Sequence, residues 1–205
     1  MEFWNEVIID KSWDLLQNLR KNIDFILIGG WAVYLLTKAF KSKDIDIIVD
    51  FENLSKLKEL GIRKNDKLKK YETDIEGTDI DIYVSYYSKF VLPTEDIIKE
   101  TVNVEGFKLP KSEILLILKQ QAEISRKNVV KGQKDRTDIL ALLLNKKINF
   151  SVYKKTLEKF GIKDYFRHLK KIVSSANKEF EYLGITNPRE IKKIKQRILA
   201  EIDFK

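Results

Sequence analysis

The spacing of apolar residues in the first part of the chain predicts a helix, a short strand and a second helix. Residues 2–21 place apolar side chains at intervals of three and four, the period of a helix with one apolar face. The next apolar run, at 25–28, is short and stops at Gly29 and Gly30, and a helical pattern then resumes over 31–40. This order predicts a strand, a glycine turn and a helix in direct succession.

Two later segments alternate between apolar and acidic residues, which is the two-residue period of a strand. The segment 43–51 places Asp44 and Asp46 on one face, and the segment 78–85 places Asp81 opposite its isoleucines. Two neighbouring strands of this kind would bring Asp81 beside the other two carboxylates.

Turn residues connect these strands to their neighbours. Glu76-Gly77 separates an apolar run at 71–75 from the second acidic strand, which predicts a hairpin. Gly61 follows a short helical pattern at 54–60 and is a usual C-terminal stop for a helix.

The pattern becomes helical beyond Pro110. Helices are predicted at 113–128 (with Ser112 as the cap), at 134–144 and at 189–202, the last with a start signal at Asn187-Pro188. The fold class predicted from these elements is α+β. We expect a mixed β-sheet core with flanking helices at 1–92, a helical region at 93–205, and an active site in the cleft between them.

Composition narrows the chemistry that the chain can perform. None of the 205 residues is cysteine, which excludes zinc–thiolate sites, thiol nucleophiles and disulfides. The net charge of +8 favours an anionic partner such as a nucleotide or RNA, although a lysine- and glutamate-rich surface is also typical of thermophile proteins. No apolar stretch approaches the roughly 18 residues of a membrane span, so we expect a cytoplasmic protein with no membrane partner.

The carboxylates of the two acidic strands predict a cation site. Asp44 and Asp46 lie roughly 7 Å apart by strand rise, and like charges at this spacing are costly unless a divalent ion neutralises them. Mg²⁺, or Mn²⁺ in its place, takes one or two carboxylates together with phosphate oxygens, and two such ions can stabilise the attacking and leaving oxygens of nucleotidyl transfer. Backbone N–H groups at Gly29-Gly30 could approach a triphosphate closely, because neither residue has a side chain.

Each of these features also has a structural explanation. A solvated strand face accounts for Asp44 and Asp46 taken alone. Asp79 shares a face with Asp81 and is an alternative third carboxylate. His168, the single histidine, lies among basic residues of a tail helix and is expected to have a structural role or none.

The glycine turn and the acidic strands belong to a set of motifs with characteristic order. They are Gly-Gly-Trp-Ala-Val at 29–33, Lys-Ser-Lys-Asp-Ile-Asp at 41–46 and Ile-Asp-Ile at 80–82. This set resembles the polymerase-β-like nucleotidyltransferase superfamily. The helical residues at 118–138 are similar to the segment that follows the core in abortive-infection toxin-type and minimal nucleotidyltransferases, so the resemblance covers about residues 23–144.

The resemblance implies roles for individual residues of the core. Asp44 and Asp46 would be metal ligands, and Asp81 would be the third carboxylate ligand and a candidate base. Gly29 and Gly30 would form the cradle for the triphosphate of the nucleotide.

Three further residues receive nucleotide-binding roles from the same resemblance. Ser42 stands where the family often has a phosphate-contacting hydroxyl, but Lys41 replaces the usual arginine before it and cannot make the same bidentate contact. Lys119 and Arg126, seven apart on one helical face, would contact the triphosphate or the acceptor. Their alternative is an ordinary helix-surface pairing with Glu123.

The expected activity is metal-dependent transfer of a nucleoside monophosphate from a nucleoside triphosphate such as ATP, with release of pyrophosphate. The acceptor would be RNA, with tRNA the first choice, a protein or a small molecule. Two alternatives remain: a catalytically silent nucleotide- or RNA-binding module, and a toxin–antitoxin component that acts through a partner protein.

Overall fold

The computed structural model describes residues 6–126, 129–145 and 147–204, and the chain forms two compact units. One unit runs to Lys111 and the other begins at Ser112. The predicted first helix spans Glu6–Asn22 among these residues; the part of that prediction at 2–5 lies outside the described residues.

The first unit is built on a mixed sheet of seven strands in the order β3-β4-β5-β2-β1-β7-β6. Strand β2 is parallel to β5 and antiparallel to β1, and β1 is parallel to β7. The strands are β1 (Ile26–Ile28), β2 (Ile45–Val49), β3 (Arg63–Asn65), β4 (Lys70–Ile75), β5 (Thr78–Val84), β6 (Thr101–Val104) and β7 (Phe107–Pro110). The mixed sheet with flanking helices confirms the predicted α+β fold class.

The centre of the sheet is apolar except at its aspartates. Ile45, Ile47 and Ile48 of β2 are fully or almost fully buried, as are Ile80 and Ile82 of β5. The burial of Ile48, which shares its face with the acidic positions of β2, means that this face is only partly polar.

Four helices accompany the sheet in the first unit. They are α1 (Glu6–Asn22), α2 (Gly29–Thr37), α3 (Phe51–Leu57, continued by a 3₁₀ turn at Lys58–Leu60) and α4 (Thr94–Lys99). Helix α2 ends at Thr37, three residues earlier than predicted, where Lys38 adopts a left-handed conformation. Trp31 of α2 is buried against Trp13 of α1, with 5.0 Å between ring centroids, and its indole N–H donates to Ser12 Oγ at 2.9 Å.

Three parts of the first unit differ from the sequence prediction. Strand β2 ends at Val49, because the Asp50 side chain accepts a hydrogen bond from the backbone N–H of Asn53 and caps α3, so Phe51 begins a helix instead of ending a strand. Strand β3 was not predicted. The segment 93–110, assigned to the helical region, contains α4 and the hairpin β6–β7, which joins the sheet beside β1.

The second unit consists of helices among the residues that the structure describes. They are α5 (Ser112–Ser125), α6 (Val130–Leu144), α7 (Phe150–Lys159), α8 (Asp164–Ser175), α9 (Lys178–Tyr182) and α10 (Pro188–Phe204). Leu116, Leu140, Tyr153, Leu169 and Phe180 come from five of these helices and are completely buried. Within the described parts of both units, every helix is too short or too polar to span a bilayer.

Candidate functional site

Three carboxylates lie side by side across the centre of the sheet. Asp46 of β2 is the register partner of Asp81 on β5, and Asp81 is in turn the register partner of Glu72 on β4. Residues in register on neighbouring strands point to the same face at a spacing of about 4.8 Å. We call Glu72, Asp81 and Asp46 the acidic row.

Two other predicted site residues, Asp44 and Ser42, lie just before β2 in the sequence. Asp44 lies one residue before the strand, with 27% of its side chain exposed and its Oδ1 3.8 Å from Lys43 Nζ. Ser42 is buried, two residues earlier. Asp79, the alternative to Asp81, is exposed and is the register partner of Asp74, so it lies outside the acidic row.

Gly29 lies directly against the carboxylate of Asp46. A Cβ atom on Gly29 would be 2.0 Å from Asp46 Oδ2, and the backbone of Gly29 has a φ of +68°, in the left-handed region. The cause is the antiparallel register of β1 and β2, which pairs Ile28 with Asp46 immediately before the turn. Only glycine satisfies both conditions, and the Asp46 carboxylate is thereby placed at the N-terminal end of α2, the positive end of the helix dipole.

Lys70 supplies a cation to the acidic row. Its side chain is 13% exposed, and its Nζ donates to Asp81 Oδ1 at 2.5 Å and lies 3.4 Å from Glu72 Oε2. Burial by itself would lower the pKa of Lys70, but the hydrogen bond to Asp81 and the charges of Asp81 and Glu72 outweigh it, so the pKa lies above 10.5. The ammonium is therefore charged at neutral pH.

Sequence reasoning missed both Lys70 and Glu72, although a signal for them exists. The two-residue turn at Glu76-Gly77 fixes the register of the hairpin, and counting back from it places Glu72 opposite Asp81. Lys70 lies two residues before Glu72 on β4, and so on the same face of the strand.

The donor set around Asp46 meets the requirements of a divalent ion that is shared with a nucleotide. Asp44 and Asp46 supply the one or two carboxylates that Mg²⁺ usually takes from protein, leaving its other positions to water and phosphate oxygens. Within the described residues, no group of three Asp, Glu or His side chains is arranged to hold a metal by itself. An ion at Asp44 and Asp46 would thus depend on the triphosphate for part of its coordination.

Lys119 is buried in an ion network of the second unit. Its Nζ lies 2.7 Å from Asp138 Oδ2 and 3.0 Å from Asp135 Oδ1, and Lys134 Nζ lies 3.1 Å from the same Asp138 oxygen. All four side chains are at most 8% exposed. The network links α5 to α6, so Lys119 has a structural role whether or not it contacts a nucleotide.

Arg126 is the more accessible of the two predicted nucleotide contacts in α5. Its side chain is 44% exposed, with Nη1 3.5 Å from Asp135 Oδ2. Glu123, expected as a surface partner, is instead buried and accepts from His168 Nε2 at 2.7 Å. His168 therefore has the structural role that the sequence suggested.

The net positive charge of the protein comes from the second unit. Residues 112–205 contain 22 lysines and arginines against 11 acidic residues, whereas residues 1–111 contain 17 against 20. Part of this charge borders a groove of about 270 Å³ between α7 and α8, whose lining includes Lys154, Lys163 and Phe166. Lys154 Nζ and Lys170 Nζ lie 5.0 and 4.9 Å from the centre of the Phe166 ring. We call this the α7–α8 groove.

Comparison with known proteins gives similarity at the level of structure alone. No protein-family model matches the chain, and no curated protein matches it. Among solved structures, JHP933 from Helicobacter pylori is 17% identical over 94% of both chains, with a TM-score of 0.49. An antigenic nucleotidyltransferase-like protein from Paracoccidioides brasiliensis is 14% identical over 92% of both chains, with a TM-score of 0.42.

A third solved structure is the Megavirus polyadenylate synthase, at 14% identity and a TM-score of 0.46. This match covers 70% of the present chain and 32% of the synthase. Two of the three names refer to nucleotidyltransferases or to polymer synthesis from nucleotides. All three TM-scores are below 0.5, so these similarities do not indicate a function for the present chain.

Proposed function

We propose that the protein is a metal-dependent nucleotidyltransferase of the polymerase-β-like superfamily. It transfers a nucleoside monophosphate from a nucleoside triphosphate to an acceptor and releases pyrophosphate. The observation that carries the proposal is the contact between Gly29 and Asp46. A left-handed glycine packed against a half-buried carboxylate brings that carboxylate and the backbone N–H groups at the start of α2 to one place, where both can serve a ligand.

In this proposal the residues of the first unit bind and orient the nucleotide. Asp44 and Asp46 hold Mg²⁺ or Mn²⁺ together with triphosphate oxygens, and backbone N–H groups at Gly29 and Gly30 receive the phosphates. The bound ion supplies positive charge that offsets the charge of the triphosphate. Positioning and charge neutralisation account for most of the expected rate enhancement.

The chemical step joins the acceptor to the α-phosphorus of the nucleotide. The acceptor oxygen attacks that phosphorus, the bond to the bridging oxygen of the β-phosphate breaks, and pyrophosphate leaves with the electron pair. The proton of an acceptor hydroxyl goes to a carboxylate, for which Asp81 is the candidate. The Lys70 ammonium donates to Asp81 Oδ1 and so holds this carboxylate in a fixed orientation.

We propose RNA as the acceptor, because the second unit carries the features of a polyanion-binding surface. Its excess of basic residues offers counter-charges to phosphates, and Phe166 in the α7–α8 groove offers a ring on which an unpaired base can stack. The same features would suit a catalytically silent RNA-binding module, which is the second candidate function.

Transfer of label from each α-labelled nucleoside triphosphate tests the proposal. Pure protein is incubated with Mg²⁺, total RNA and no other protein, beside the variants Asp46→Asn and Asp14→Asn. Asp14 is an exposed aspartate of α1 and serves as the matched control. Label that enters RNA with wild type and Asp14→Asn, but not with Asp46→Asn, supports the transferase. Binding of RNA without any transfer supports the silent module.

A further inference from the structure

The acidic row already contains a cation that belongs to the chain. Resting on the proposed function, we propose that Lys70 takes the place of a second metal ion. The site then binds one divalent ion with each nucleotide, at Asp44 and Asp46, and Asp81 stays paired with Lys70.

The position of Lys70 supports this assignment. Its ammonium touches Asp81 and reaches Glu72, so it serves two of the three carboxylates in the acidic row. Both acidic partners are held in register by backbone pairing of β4 with β5, and the short turn at Glu76-Gly77 leaves that register no freedom. The ion pair is therefore built into the hairpin.

Electrostatics opposes a second divalent ion at the same place. Asp81 would have to bind an ion while an ammonium lies within hydrogen-bonding distance of its Oδ1. A metal there would be repelled by that ammonium or would have to displace it. Lys70 is part of the chain, so its ammonium loses no translational entropy on contacting the carboxylate, whereas a free ion does.

Lys43 lies farther from Asp44 than Lys70 lies from Asp81. The Nζ of Lys43 is 3.8 Å from Asp44, which is longer than a hydrogen bond, and the Lys43 side chain is 29% exposed. Displacing a partly exposed lysine at this distance costs little when an ion arrives with a triphosphate. One end of the site is thus suited to an exchangeable metal and the other to a resident cation.

Counting bound Mn²⁺ by electron paramagnetic resonance tests the inference without any turnover. The protein is saturated with α,β-methylene ATP, whose α–β linkage cannot release pyrophosphate, and bound Mn²⁺ is measured per bound nucleotide. We expect one ion for wild type, one for the charge-retaining Lys70→Arg, and two for Lys70→Met. Lys67→Met, which changes an exposed lysine beside β4, is the control and should bind one.

The outcomes separate the inference from the proposed function. Two ions in wild type, or one in Lys70→Met with its fold retained by circular dichroism, would overturn the role of Lys70 while the transferase proposal stands. Failure of wild type to bind either Mn²⁺ or the analogue would overturn both. If Lys70→Met does not fold, Lys70→Gln, which also removes the charge, is counted in the same way, and two ions in wild type overturn the inference in either case.

Discussion

The contact between Gly29 and Asp46 makes a quantitative prediction for Gly29→Ala. The new methyl carbon would lie 2.0 Å from Asp46 Oδ2, so the carboxylate has to move by roughly 1.4 Å to reach an ordinary contact of 3.4 Å. Alanine in a left-handed conformation costs roughly 1–2 kcal/mol, and overpacking adds about 1–3 kcal/mol. We expect the free energy of unfolding to fall by about 2–5 kcal/mol, and label transfer to fall about 100-fold because a catalytic group is misplaced by about 1 Å.

Gly61→Ala is the matched control for this substitution. Gly61 has the same φ of +68°, but nothing lies within 4 Å of its added Cβ, so this variant has only the conformational cost. Urea denaturation measures both variants, and Gly29→Ala combined with Asp46→Ala completes a double-mutant cycle. Removing the Asp46 side chain should restore the part of the free energy of unfolding that Gly29→Ala loses through overpacking. Equal losses for Gly29→Ala and Gly61→Ala, or no recovery in the double variant, would refute the proposed contact.

Three further predictions concern charged groups. Lys119→Met removes the cation that Asp135 and Asp138 share, although Lys134 and Arg126 still lie beside them. It should lower the free energy of unfolding in urea by about 1–3 kcal/mol, and an unchanged free energy would show that the network does not form. With EDTA present, the free energy of unfolding of wild type should exceed that of Lys70→Met by a constant amount below pH 10.5, and this difference should shrink as the pH rises through the raised pKa of folded Lys70. A difference that does not depend on pH would contradict the ion pair. Replacing two lysines that line the α7–α8 groove and a third beside its Phe166 ring by glutamine should reduce the salt dependence of single-stranded RNA binding by about 2 in the log–log slope, measured by fluorescence anisotropy. The variants for this last test are Lys154→Gln, Lys163→Gln and Lys170→Gln together, with Lys11→Gln, Lys58→Gln and Lys67→Gln together as the control that should leave the slope unchanged.

Elements with strong local signals were predicted close to their observed bounds. The hairpin around Glu76-Gly77 and the helix that begins at Pro188 are examples, because a turn or a start signal and an apolar period coincide within a few residues. The hairpin at 101–110 was missed for the opposite reason. Its first strand lies at the edge of the sheet with two exposed residues at its centre, so burial imposes no clear period there.

In the candidate site, too, residues were predicted where the local sequence carries a signal and missed where it does not. Asp44, Asp46, Asp81 and the glycine pair were identified from alternation and from a resemblance to known motifs. The turn at Glu76-Gly77 places Lys70 on the face of Glu72, but the sequence does not show that this lysine, among the several of its segment, is buried and ion-paired. Its importance comes from 13% exposure and two carboxylate contacts, which are properties of the folded sheet.

The sequence by itself determined the α+β class, the position of the glycine turn after a strand, and the presence of carboxylates on two strands. These depend on periods of two and 3.6 residues, which the local backbone geometry imposes. Tertiary structure alone decided that Asp46 pairs with Asp81, that Gly29 meets Asp46 and that Lys119 is buried between two aspartates. The physical reason is that strand order and burial follow from the packing of distant segments together, and no short stretch of sequence contains that information.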